Sequence, residues 1–193
     1  MPDHAHTPSS PGYRRKHRRI ACALVVVLLG GWAGSTFVLF VKPDKTQTPR
    51  RADAIVMLGG NGERLVRVHQ LAQTNSTPTI AISDPRRILE PCSSRPQDAL
   101  DQLPGKKVIC FHPEPTTTRG EARAIGKLAA KHRWRSIIVV VSTDQVTRAK
   151  LLIGRCWGGE VQMVAVHPSQ PIPWRAVYEW GALTLAVVAR RGC

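Results

Sequence analysis

Three predicted helix starts in this 193-residue chain carry arginine in their early turns. Arg64 follows Gly59-Gly60-Asn61-Gly62. Arg119 and Arg123 follow a run of three threonines ending at Thr118. Arg148 follows Ser142-Thr143-Asp144-Gln145. A cation at a helix N-terminus opposes the helix dipole by roughly 0.3–1 kcal/mol, so something should offset all three. An anion held by the free N–H groups and by guanidinium forks would do so. The alternative is internal pairing: Arg64 with Glu63, Arg119 or Arg123 with Glu121, and Arg148 with Asp144. Exposed pairs of that kind contribute little. The candidate ligand-binding set is therefore Gly59, Gly60, Asn61, Arg64, Thr118, Arg119, Glu121, Ser142, Asp144, Gln145 and Arg148. The glycines let the backbone approach a ligand closely. The stretch is neither GxGxxG nor a P-loop, and a tight turn with no ligand accounts for it equally well.

The titratable candidates for catalysis are Asp84, at the end of a predicted strand, and Glu121. Ser142 has no visible His/Asp partner set, so a hydrolase triad is not supported. His112 and Glu114 form an H-x-E pair without the downstream P-C-x-x-C that a zinc deaminase needs. No metal site and no cofactor is evident. Four of the five cysteines, Cys92, Cys110, Cys156 and Cys193, lie in the folded part. In an exported domain an even count suggests two bridges. Four cysteines allow three connectivities. The expected pairs are Cys92–Cys110, closing a short loop, and Cys156–Cys193, tying down the end of the chain.

The elements that must position these residues alternate between strand and helix. Asp53–Leu58 reads as a strand, and the helix after it presents Leu65, Val68, His69 and Ala72 on one face. Thr79–Ser83, Lys106–Phe111, Ser136–Val141 and Glu160–Val166 are further strands. Ser136–Val141 is apolar on both faces, as in a parallel sheet. Asp84–Gly105 is irregular, with a short helix near Gln97–Leu103. Thr118-x-x-Glu121 and Ser142-x-x-Gln145 read as capping boxes. The last helix is Pro173–Arg190, with Trp174, Val177, Tyr178, Gly181 and Leu185 as its inner face, docked on the sheet. The fold class is α/β: a three-layer, Rossmann-like, mostly parallel sheet of about five strands, preceded by one transmembrane helix. Ligands in such sheets bind beyond the carboxyl ends of the strands.

Residues 1–19 form a basic tail, expected to be disordered and cytoplasmic. Ile20–Val41 is uncharged and, at 1.5 Å per residue, roughly 33 Å long, enough to cross a bilayer as an uncleaved anchor. Residues 42–51 are a linker and residues 52–193 the domain. Gly30 and Gly34 have GxxxG spacing, which admits a homodimer through the span. The tight basic cluster before the span places the N-terminus in the cytoplasm and the domain outside. The expected location is therefore the plasma membrane, single-pass. The formal charge is +15, and most of it lies in the domain. Such a domain favours anionic partners, here an anionic small molecule or a lipid-linked phosphate; a solvated basic surface is the plainer alternative. Nucleic acid is not an expected partner, because no recognised module or aromatic cluster is present.

ADAIVMLGGNGER with Arg64, then TTTRGEA, then VVVSTDQVTRAKLL resembles the YdcF-like family of membrane-anchored envelope proteins, over Ala52 to Val166. Gly59, Gly60 and Arg64 match that family's first loop. Thr118 and Glu121 match its helix start, and Ser142, Arg148 and Ala149 match its third motif. Gln145 stands where the family has His, Val141 where it has Thr, and Ser83-Asp84-Pro85 where it has Ser-Gly-Gly. Glutamine cannot act as general acid or base. The resemblance implies an anchored external α/β domain with a role in envelope integrity or in lipid-carrier or peptidoglycan metabolism. Three functions follow as expectations: binding of a phosphorylated or otherwise anionic envelope ligand, hydrolase or transferase chemistry on a phosphate-containing precursor, or a non-catalytic interaction module.

Overall fold

A computed structural model describes residues 11–60, 62–85, 92, 105–168, 172–189 and 191–193. Two compact units divide between Val38 and Leu39. The first is dominated by helix α1, Pro11–Thr36. It takes in Arg14–Arg19, which composition assigned to a disordered tail. Lys and Arg are good helix formers, and proline suits a first helical position. Side chains of the apolar stretch, among them Leu24, Val27 and Leu28, are exposed. The helix from Lys16 to Val41 is long and apolar enough to cross a membrane.

In the second unit the chain passes through one π-helical turn, Phe37–Val41, that straddles the boundary. It then forms β1 (Ala54–Met57), α2 (Gly62–Thr74), β2 (Thr79–Ser83), β3 (Lys107–Phe111), α3 (Thr118–His132), β4 (Ser136–Ser142), a short 3-10 turn (Thr143–Gln145), α4 (Val146–Cys156), β5 (Glu160–Val166) and α5 (Ile172–Val188). The five strands are all parallel, in the order β3-β2-β1-β4-β5. Ile55 pairs with Ile80 on one side and Ile138 on the other. The expected helix near Gln97–Leu103 lies outside the described residues.

Alternation along the strands divides the core into two layers. Val56, Leu58, Ala81, Ile137, Val139 and Val141 face α3 and α4 through Ala122, Ile125, Ala149 and Leu152. Ile55, Met57, Ile80, Ile82, Ile138 and Val140 face α2 through Val68, Leu71 and Ala72. The buried face of α2 is thus rotated from the expected one: Leu71 and Arg64 are inside, whereas Leu65 and His69 are half-buried. Asp53 anchors the entry to β4. Its carboxylate accepts the backbone N–H groups of Arg135 at 2.7 Å and Ser136 at 3.0 Å. Cys92–Cys110 and Cys156–Cys193 are both bonded, as the cysteine count led us to expect.

The last helix departs most from expectation. α5 packs against α4 and the 143–145 turn. Its buried residues are Ala176, Glu179 and Ala186, while Trp174, Val177, Tyr178 and Leu185 are exposed. The expected inner face is therefore the outer one. Of α5 only Ala186 joins the apolar layer that α3 and α4 cover.

Candidate functional site

Strand order reverses direction between β1 and β4, so the crevice of the sheet opens at their carboxyl ends. The turn after β1 and the turn after β4 flank it. Arg64, in the first turns of α2, reaches across. Its guanidinium donates to the Leu58 carbonyl at 3.1 Å, to the Gly59 carbonyl, to Ser142 Oγ at 2.8 Å and to Gln145 Oε1 at 3.0 Å. Nε is buried without a partner. The residue is only 4% exposed. Among the described residues it forms no ion pair. Burial lowers the guanidinium pKa, and the more distant charges of Glu121 and Asp144 resist that shift.

Gly60 is required by this arrangement. A Cβ there would stand 2.5 Å from Cζ of Arg64. At Gly59 a Cβ would stand 2.8 Å from the Pro85 ring and 3.1 Å from Glu121 Oε1. The two glycines therefore let a guanidinium and a carboxylate close in on one turn from opposite sides.

Glu121 comes from α3 and is buried. Its Oε1 accepts the Gly59 N–H at 2.5 Å and Ser83 Oγ at 2.7 Å. It is not half of a capping box. The α3 cap is Thr117, whose side chain accepts the Gly120 N–H, and Thr118 is the first helical residue. Ser142 likewise makes no side-chain cap, and Gln145 accepts from Arg64. In both cases a distant donor offers more to a buried acceptor than the local N–H would.

Burial raises the Glu121 pKa above its ordinary 4.5, against the pull of the Gly59 N–H, Ser83, Arg64 and Arg148. A carboxyl whose folded pKa is raised favours the fold when protonated. Its contribution is present below the unfolded value and is lost as pH climbs through the folded one. Glu121→Gln keeps an acceptor for Gly59 and Ser83 and removes the charge. The variant is expected to lose that part of the pH dependence, with stability at pH 7 equal to or above wild type. Urea midpoints across pH 4–8 check this; a variant markedly weaker than wild type at pH 7 would contradict it.

The other arginines of the predicted set have partners, although Nε of Arg119 is, like that of Arg64, buried without one. Arg148 is held by Glu179 through Nε at 2.7 Å and Nη2 at 2.8 Å. Burial works against its charge, but hydrogen bonding and attraction from Glu179 outweigh that and raise its pKa. Arg175 donates to Asp144 Oδ2 at 2.8 Å, and Asp144 Oδ1 is buried without a partner. Arg119 donates to the main-chain oxygens of Gly192 and Cys193, and Arg123 to that of Cys193 at 2.7 Å. None of the internal pairs considered from sequence forms. Arg148 takes Glu179 in place of Asp144, Arg64 takes no carboxylate, and Arg119 and Arg123 take main-chain oxygens.

Of the predicted site residues, Gly59, Gly60, Arg64, Glu121, Ser142 and Gln145 form one hydrogen-bonded cluster or its turn. Asp144 and Arg148 adjoin it through α5. Arg119 lies apart, at the 192–193 segment. Asn61 lies outside the described residues. Asp84 is buried at the end of β2, with its carbonyl against His112 Nδ1 at 2.7 Å. Sequence reasoning missed Glu179 and Arg175. The signal available was that Arg175 and Glu179 are the sole charged residues in a largely apolar last helix. A cavity of about 300 Å3 lies beside the cluster, lined by Asp144, Gln145, Trp174, Arg175, Tyr178 and Glu179. Among the described residues no group of acidic, His and Cys side chains could hold a metal ion. Neither a protein-family model nor a curated protein matches this sequence.

Proposed function

We propose that the second unit is the extracytoplasmic domain of a plasma-membrane protein of YdcF-like type. Ile20–Val41 anchors it, and it binds a phosphorylated or otherwise anionic envelope ligand at the turn after β1. The observation that carries this reading is Arg64: a buried cation with a spare Nε–H and no ion pair among the described residues. Burying an uncompensated charge is costly. An anion at the Gly59–Gly62 turn would relieve that cost and would also meet the N-terminal amides of α2. Arg148 and Arg175, each matched to a carboxylate, have less to offer. The ligand site therefore narrows to Arg64, the two glycines, Ser142 and Gln145. The two disulfides favour an oxidising compartment for the domain.

The test is titration of detergent-solubilised full-length protein with farnesyl phosphate and with inorganic phosphate. Arg64→Ala is expected to weaken binding at least about tenfold, which corresponds to 1.4 kcal/mol. Lys127→Ala, on the exposed side of α3, should leave it unchanged. A folded Arg64→Ala protein that binds as tightly as wild type would overturn the reading. Farnesyl phosphate binding without phosphate binding would assign the ligand to the lipid-linked class.

One observation favours a second reading, hydrolase or transferase chemistry on a phosphate-containing precursor. Glu121 accepts the N–H of Gly59 in the same turn, and burial pushes its carboxyl above its ordinary range, the direction a proton donor requires. Release of phosphate from the bound probe, abolished in Glu121→Gln with binding retained, would establish it.

A further inference from the structure

Helix α5 has its polar side in and its apolar side out. Trp174, Val177, Tyr178, Leu185 and Val188 follow one another at helical spacing along a single face about 21 Å long. Their exposures are 82%, 62%, 68%, 43% and 62%. The opposite face buries Glu179 against Arg148. A stripe of this size facing water marks a contact surface.

What covers it follows from where the chain enters the unit. The Leu39 carbonyl accepts Thr147 Oγ1 of α4 at 2.6 Å. Phe40 is fully buried and meets Trp180 of α5 edge-to-face, with ring centroids 5.5 Å apart. Trp180 is the i+3 neighbour of Val177, so the stripe lies one side-chain row from Leu39–Val41, the segment by which the chain enters this unit. Trp and Tyr favour the membrane–water interface, where one end of the ring is apolar and the other wet. Lys42 and Lys45, exposed just beyond Val41, suit anionic headgroups.

We propose that α5 lies in the headgroup region of the bilayer, with Trp174, Val177 and Tyr178 in contact with lipid. This rests on the reading of Ile20–Val41 as a membrane anchor.

The test uses the full-length protein with Cys22→Ser, its disulfides intact, in nanodiscs of phosphatidylcholine and phosphatidylglycerol. Single nitroxide labels are placed at Tyr178→Cys, at Leu28→Cys within the apolar helix and at Val66→Cys on the exposed side of α2. Relaxation by oxygen and by a water-soluble nickel complex reads their depth. Labels at 28 and 178 are expected to lose nickel accessibility, with 178 the shallower, while 66 stays accessible. If 178 matches 66 while 28 reads lipid, the proposal is overturned and the anchor stands. If 28 reads water, both fall. Dipolar broadening between labels at 178 would show a second copy on this face and would likewise overturn the proposal.

Discussion

Glu179→Ala is expected to lower the unfolding free energy by about 3–5 kcal/mol, the usual cost of stranding one member of a buried ion pair. Glu179 is 0% exposed and accepts two hydrogen bonds from Arg148. Truncation leaves a guanidinium in a site built to neutralise it. The pair also crosses between α4 and α5, and the Arg175–Asp144 contact crosses back from α5 to the 143–145 turn. α5 is thus tied by two arginine–carboxylate contacts, beside the Phe40–Trp180 packing and the Arg155 donation to the Ala186 carbonyl. The loss should be concentrated there, as faster amide exchange in residues 174–188 than in β4. Removing both partners at once, Arg148→Met with Glu179→Leu, should recover most of the loss, since a buried pair replaced by apolar groups of similar volume is near neutral. A double-mutant cycle in denaturant reads this coupling directly. If the single and double variants are equally destabilised, the lost term is packing, and the charge argument fails.

Arg64→Ala is expected to cost about 3 kcal/mol, because it leaves the Leu58 and Gly59 carbonyls, Ser142 and Gln145 without a donor in a closed site. The gain from no longer burying a cation limits that figure. Arg64→Lys keeps the charge but loses the fork, since one ammonium cannot serve the turn after β1 and the turn after β4 together. It should recover less than half. The informative contrast is with Gln145→Ala, which removes one acceptor and leaves the other three in place. It should cost about 1 kcal/mol. If Arg64→Ala and Gln145→Ala cost the same, the guanidinium does not hold the two turns together. Urea denaturation of the full-length protein separates these cases.

The strands were legible because each carries a signal that local sequence preserves. Ser136–Val141 and Ala54–Met57 are buried on both faces, and an unbroken apolar run has few other solutions. The Cys92–Cys110 and Cys156–Cys193 bonds were accessible for a similar reason, since four cysteines leave few pairings. What sequence reading lost were the interactions that join distant elements. Thr118-x-x-Glu121 and Ser142-x-x-Gln145 have the spacing of a local cap. In the fold, Glu121 turns to Gly59 and Ser83, and Gln145 to Arg64. A local pattern gives no account of what stands on a neighbouring strand. On α5 the apolar stripe was taken for the inner face, which is the ordinary rule for a helix bordered by water. A carboxylate committed to a buried arginine reversed the assignment. Arg64, Ser142 and Gln145 were identified by type and position, but their direct contact with one another is a product of strand order.

The Cys156–Cys193 bond bears on the hydrogen bonding at one corner of the domain. It holds the 192–193 segment where its oxygens receive Arg119 and Arg123. Both guanidiniums belong to the opening turns of α3, a helix whose fourth residue, Glu121, reaches under the glycine turn. Cleavage of that sulfur–sulfur link would remove the covalent tie that keeps these oxygens beside the two guanidiniums. The local order of that corner thus depends on the oxidation state of a single covalent bond.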